Sequence, residues 1–204
     1  MLRSQSNREG QGSPRLAKFE ARRSIARERL RRRYRPSRIR ILFVGESPPA
    51  SGRFFYRADS GLYRAVRETF VRAFPSLRNT HFLDSFCSLG CYLIDLCGEP
   101  VDDMTPDARK QACGRGEKRL AQKVRALQPK TIVTVVRSIG TNVRHAQERA
   151  GWSGCYVELP YPGRWHRHRN EFRKLLVPLL RQIYGGIKMP PPLSRTWPAR
   201  NYGC

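Results

Sequence analysis

The sequence predicts an α/β protein, a three-layer α/β/α sandwich built on a mainly parallel central sheet. Short apolar runs rich in β-branched residues, such as "RIRILFVG" and "KTIVTVV", alternate with longer stretches whose apolar residues recur every three to four positions. That alternation is the pattern of parallel strands joined by crossover helices. The two most unusual segments, "GESPPASGRFFY" and "LPYPGRWHRHRNEF", each come directly after a predicted strand. Ligands of parallel sheets bind outside the carboxyl ends of the strands, so these loops are where chemistry is expected.

In chain order, residues 1–38 form a basic arm. "MLRSQSNREGQGSP" has the polar composition of a disordered segment. "RLAKFEARRSIARERLRRRYR" carries Leu16, Phe19, Ile25 and Leu30 loosely on one helical side, but its like charges repel. The arm is expected to be disordered, or helical on a polyanion, and separable from a domain over 39–186. Pro36 ends it, and "RIRILFVG" is a buried strand. "DSGLYRAVRETFVRAF" is a helix capped by Asp59 or Ser60, with Leu62, Val66, Phe70 and Phe74 at helical spacing and Pro75 just beyond. "CYLIDLC" is a second short strand. "MTPDARKQACGRGEKRLAQKVRALQP" opens with a Thr-Pro helix start, although Gly114 and Gly116 weaken its middle. "KTIVTVV" is the clearest strand, "SIGTNVRHAQERAG" a helix closing at Gly151, and "GCYVEL" a further strand. "HRNEFRKLLVPLLRQIYGG" is the last helix, with Pro178 placed to kink it. Residues 187–204 form a Pro-rich, extended tail.

Charge bears on partners rather than on fold. The 204 residues include 40 Lys+Arg against 16 Asp+Glu, a formal net charge of +24. Polyanions are the natural partners of such a chain, and arginine suits bidentate contacts to phosphates and bases. No apolar run is long enough to span a bilayer. The start of the chain lacks the hydrophobic stretch of a signal peptide, and Glu9, Glu20 and Glu28 count against a transit peptide. The six cysteines contain no CxxC and are expected to be reduced thiols. These features give a cytoplasmic monomer that binds DNA, with RNA as the alternative, and that uses no membrane, metal or other cofactor. Patterns of the GxxxxGK[ST], GxGxxG and GxSxG kinds are absent from the sequence.

In the first loop, Gly45 permits a sharp turn, and Pro48 and Pro49 stiffen the chain beyond it. Glu46 is thereby held in a defined place, where a carboxylate orients a water or stabilises a developing cation. The alternative is a carboxylate that caps amides of its own turn. Phe54, Phe55 and Tyr56 offer faces on which a base stacks, or else belong to the core. The last loop sets Arg164, His166, Arg167, His168 and Arg169 around Trp165. Cations interleaved with an aromatic suit a nucleic-acid backbone, the alternative being a solvated basic turn. The histidines lack a third residue at metal-ligand spacing.

In the order of these segments, residues 39 to about 180 resemble the uracil-DNA glycosylase superfamily, with a layout similar to its GEAPG-type branch. "FVGESPP" resembles the family's first motif, a strand followed by a Gly-acid-small-Pro turn. "CYLIDLCGEP" resembles the segment whose polar residue reads the base. The stretch from "MTPDARK" to "QPKTIVTVV" resembles the next segment of the family. "LPYPGRWHRHR" occupies the place of the second catalytic loop. The resemblance implies that Glu46 positions the hydrolytic water or stabilises the sugar cation, and that Phe55 or Phe54 stacks on a flipped base. It places Asp95 where the family has a base-reading Asn, and Pro160 to Arg164 where a loop presses into the minor groove. Leu159 stands where the family has a histidine, leaving His166 or His168 as substitutes. Asp95, being a carboxylate, offers only acceptors where an amide offers a donor and an acceptor. The branch's iron–sulfur cluster is not implied, because no cysteine precedes Cys87.

The resulting expectation is a DNA-binding protein that flips a damaged base, uracil or another deaminated one, and hydrolyses its N-glycosidic bond. Candidate catalytic residues are Glu46, His166 and His168. Candidate base-binding residues are Phe54, Phe55 and Asp95. Candidate DNA contacts are Arg53, Pro160, Tyr161, Pro162, Gly163, Arg164 and Arg167. The alternatives are a catalytically silent nucleic-acid-binding protein of the same fold, and an unrelated hydrolase using Glu46.

Overall fold

The computed structural model describes residues 14–163 and 165–186. Four strands, β1 (Ile41–Gly45), β2 (Cys91–Asp95), β3 (Thr131–Thr134) and β4 (Cys155–Glu158), form an all-parallel sheet in the order β2-β1-β3-β4. The helices are α1 (Pro14–Arg33), α2 (Gly61–Ala73), α3 (Phe82–Ser88), α4 (Pro106–Leu127), α5 (Gly140–Ala150) and α6 (His166–Tyr184). Helix α2 packs on α6, and α4 packs on α5. The chain runs from β1 to β2 in one direction and from β3 to β4 in the other, so right-handed crossovers put these two pairs on opposite faces. β1, β2 and β3 are buried along their whole length, as expected of strands covered on both sides.

Local chemistry fixes the element ends. Ser60, not Asp59, caps α2: its Oγ accepts from the Tyr63 amide at 3.1 Å, while Asp59 Oδ1 accepts from the Phe54 amide at 2.7 Å. Thr105 caps α4 ahead of Pro106. The helix runs unbroken through both of its glycines. Gly116 is there for contact, since a Cβ at that position would lie 2.6 Å from the Leu96 carbonyl oxygen. Helix α6 begins at His166, ahead of the predicted "HRNEF" segment, and continues through Pro178. Helix α3 has no counterpart among the elements expected from sequence.

The basic arm differs most from expectation. Its helical half is docked against the rest of the chain. Arg27 and Arg31 are buried, Arg27 reaching Glu99 at 2.9 Å and Arg31 reaching Asp95 at 2.5 Å. Tyr34, just past the helix, stacks on Tyr56 with ring centroids 5.6 Å apart. Ile25, placed by periodicity on the apolar side, is 69% exposed. The helix is thus seated by its guanidinium groups and stems rather than by an apolar stripe. The side chains of Leu16 and Phe19, Arg164, the first 13 residues and the Pro-rich tail lie outside the described residues.

Candidate functional site

Neighbouring strands are in register such that Gly45 lies opposite Asp95. The acids that come after β1 and end β2 are therefore brought to the same edge of the sheet. Gly45 permits this closeness, because a Cβ there would sit 2.9 Å from Asp95 Oδ1. The outgoing chains stay tied: the Leu96 amide donates to the Gly45 carbonyl at 2.9 Å and the Cys97 amide to the Glu46 carbonyl at 2.7 Å. Beyond the two prolines the Ala50 amide donates to Asp102 at 2.7 Å. A cleft of about 260 Å³ opens between these strand ends and the end of β3. Glu46, Phe54, Phe55, Asp95, Asp102, Arg109 and Tyr161 line it, with Val135 from the β3 side. It lies where the strand order reverses, the usual ligand position in a parallel sheet.

Each central acid has an arginine. Arg109, in the first turn of α4, donates its Nε to Glu46 Oε1 at 2.6 Å and a terminal nitrogen to Oε2, a bidentate pair. Glu46 thus meets side chains, Cys113 Sγ at 3.8 Å being another, and among the described residues no amide of its own turn holds its carboxylate. Asp95 is 8% exposed and accepts from Arg31 through Oδ2. Burial pushes its carboxyl above the usual aspartate range against the pull of Arg31. Burial likewise disfavours the Arg31 charge, but Asp95 and Glu28 outweigh it and hold the guanidinium above its ordinary value.

The aromatic wall is also core. Phe54 and Phe55 are 2% and 3% exposed, and Arg31 lies over the Phe54 ring at 5.3 Å. Phe55 packs edge-on to Tyr56 and Tyr63. Tyr56 is wholly internal, its hydroxyl donating to the Leu93 carbonyl and accepting from the Leu93 amide. It closes the free edge of β2 in place of another strand. Two thiols lie behind Glu46, Cys97 and Cys113, with Sγ atoms 3.7 Å apart. Burial pushes Cys97 up to about 12. Cys91, Cys97, Cys113 and Cys155 are free thiols.

The cleft brings together Glu46, Phe54, Phe55, Asp95 and Tyr161, all singled out from sequence. Leu159 is fully buried in the core below. His166 and His168 stand exposed in the first turn of α6 and are not among the described residues lining the cleft. Arg53 and Arg167 are exposed surface residues, Pro160 and Pro162 are buried, and Gly163 is half-buried. None of these five lines the cleft. Two partners were missed. Arg109 could have been found from the Thr-Pro start, which places it in the first turn of a helix facing the strand ends. Arg31 has no such signal within "RERLRRRYR".

No family model matches the chain, and no curated protein matches it in sequence. Among the described residues no group of three His, Cys, Asp or Glu is arranged to hold a metal ion, and no helix is long and apolar enough to cross a membrane.

Proposed function

We propose that this protein binds DNA and hydrolyses the N-glycosidic bond of a damaged base flipped into the cleft. One observation carries the reading: Glu46 and Asp95, from register-paired strand ends, share a base-sized cleft with an aromatic wall in a chain of net charge +24. The surplus of arginine draws the phosphate backbone without regard to sequence. Flipping costs a few kcal/mol and is cheapest for a damaged or unpaired base. As the bond to the base breaks, the sugar becomes oxocarbenium-like. Glu46, fixed by Arg109, offsets the positive charge and orients the attacking water. Asp95 faces the polar edge of the base.

The test is base release from oligonucleotides carrying uracil, hypoxanthine or another damaged base, by the native chain and by Glu46→Gln. Release that the substitution abolishes supports hydrolysis. A second reading, a silent nucleic-acid-binding protein, is favoured by the commitment of both Glu46 oxygens to Arg109. It predicts salt-sensitive binding with no release from any substrate.

A further inference from the structure

The class of base can be specified, on the reading that the cleft hydrolyses the base–sugar bond. Asp95 is more than nine-tenths buried, and its counter-ion Arg31 is buried with it. Removing either charge would strand the other, so Asp95 meets a ligand as a carboxylate, with oxygens that accept and nothing to donate. Its Oδ2 is taken by Arg31, and its Oδ1 faces the space that Gly45 leaves by lacking a Cβ. Deamination exchanges an amino donor for a carbonyl acceptor. Uracil accordingly presents one N–H between two carbonyl oxygens, a poor match for a carboxylate.

The departure step points the same way. Uracil leaves as an anion and needs a donor or cation beside it. Among the described residues lining the cleft no histidine is present, and its one cation, Arg109, has Nε and a terminal nitrogen committed to Glu46. A base that is already cationic needs no such help. Its ring is also favoured by aromatic surface, and Tyr161 at the mouth is half-exposed.

We propose that the cleft takes an N-alkylated purine that has kept its exocyclic amino group, a cationic base of the 7-methylguanine type, in preference to a deaminated base. The C1′–N9 bond breaks and its electron pair returns to the ring, cancelling the positive charge, so the base departs neutral. Water adds to C1′, and its surplus proton passes to Glu46 and then to solvent.

The experiment uses the full chain and short DNA, single- and double-stranded, carrying one 7-methylguanine, one uracil or one hypoxanthine. Free base is measured by chromatography and corrected for spontaneous loss. Release of 7-methylguanine about tenfold or more faster than the other two is expected, the discrimination typical of one good base contact. Asp95→Asn should narrow that ratio by about tenfold. Should Asp95→Asn fail to fold, the native panel decides alone. Release of uracil or hypoxanthine without 7-methylguanine would overturn the inference and leave the hydrolytic reading standing. No release from any substrate, with DNA still bound, would remove both.

Discussion

The loop after β1 and the loop after β4 look alike in sequence: each has two prolines, a glycine, aromatics and charged groups at the end of a strand. Their fates differ. The first is pinned by hydrogen bonds to Asp102 and Asp59 and by the paired strand end opposite, and it delivers Glu46 into a cleft. The second leaves an edge strand and places Trp165 at 71% exposure, with His166, Arg167 and His168 around it in water. Among the described residues of that loop, only Tyr161 reaches the cleft. A loop from a central strand has neighbours on both sides to buttress it. A loop from the edge has one, and suits contact with a large partner better than chemistry.

The strongest way to break this contrast is to remove the buttress. Arg31→Leu leaves Asp95 buried without its counter-charge, and we expect a loss of about 3–5 kcal/mol in stability by denaturant titration. The double change Arg31→Leu, Asp95→Leu should recover most of it. The pH dependence has a definite sign. Burial already raises the Asp95 carboxyl in the folded protein, and losing Arg31 raises it further. The folded single variant then holds a proton that the unfolded chain has released. Its stability deficit should shrink as pH falls towards the ordinary aspartate value, widen as pH rises from there, and level off above the raised one. An unchanged deficit across that window would mean that Asp95 is not the stranded charge.

A smaller effect comes from Glu46→Gln, which keeps size but loses charge. Turnover should drop roughly 100-fold, in line with electrostatic contributions to catalysis. The melting point should move little, because Arg109 is partly solvated and its pair with Glu46 is screened. Full turnover with a lowered melting point would make the carboxylate architecture. Smaller still, Arg29→Ala with Arg33→Ala on the exposed side of α1 should reduce the salt slope of DNA binding by about two. An unaltered slope would put the polyanion elsewhere. The smallest effect is expected from His166→Ala and His168→Ala, with turnover unchanged and stability within about 0.5 kcal/mol. A large loss of turnover would bring the edge loop into the chemistry and end the contrast.

Sequence made some of this legible and left the rest dark, for physical reasons. The strands, α2, α4, α5 and the Glu46 turn were readable because period, caps and prolines are local signals. Helix α3 was not: it has only seven residues, and its polar face is just Asp84 and Ser88, too little to mark a period. The docking of α1 was hidden because a buried arginine reads like its solvated neighbours until its carboxylate is found. Asp95 and Arg31 lie 64 residues apart in the chain, and only the fold pairs them. His166 and His168 do not line the cleft, because closeness along the chain to a strand end does not specify which way the loop turns.

The strand order bears also on how the chain comes to be folded. β1 is the sheet's second strand in space but the first to be made, and Ile41 waits for both Cys91 and Thr131 to appear opposite it. Tyr184, at the far end of α6, donates its hydroxyl to the Leu89 carbonyl and touches the Cys91 thiol at the start of β2. Pairings so distant along the chain form slowly. A nascent chain emerging from the ribosome therefore carries a bare apolar edge of "ILFVG" until β3 has been translated, and synthesis is the period in which it is most exposed to aggregation.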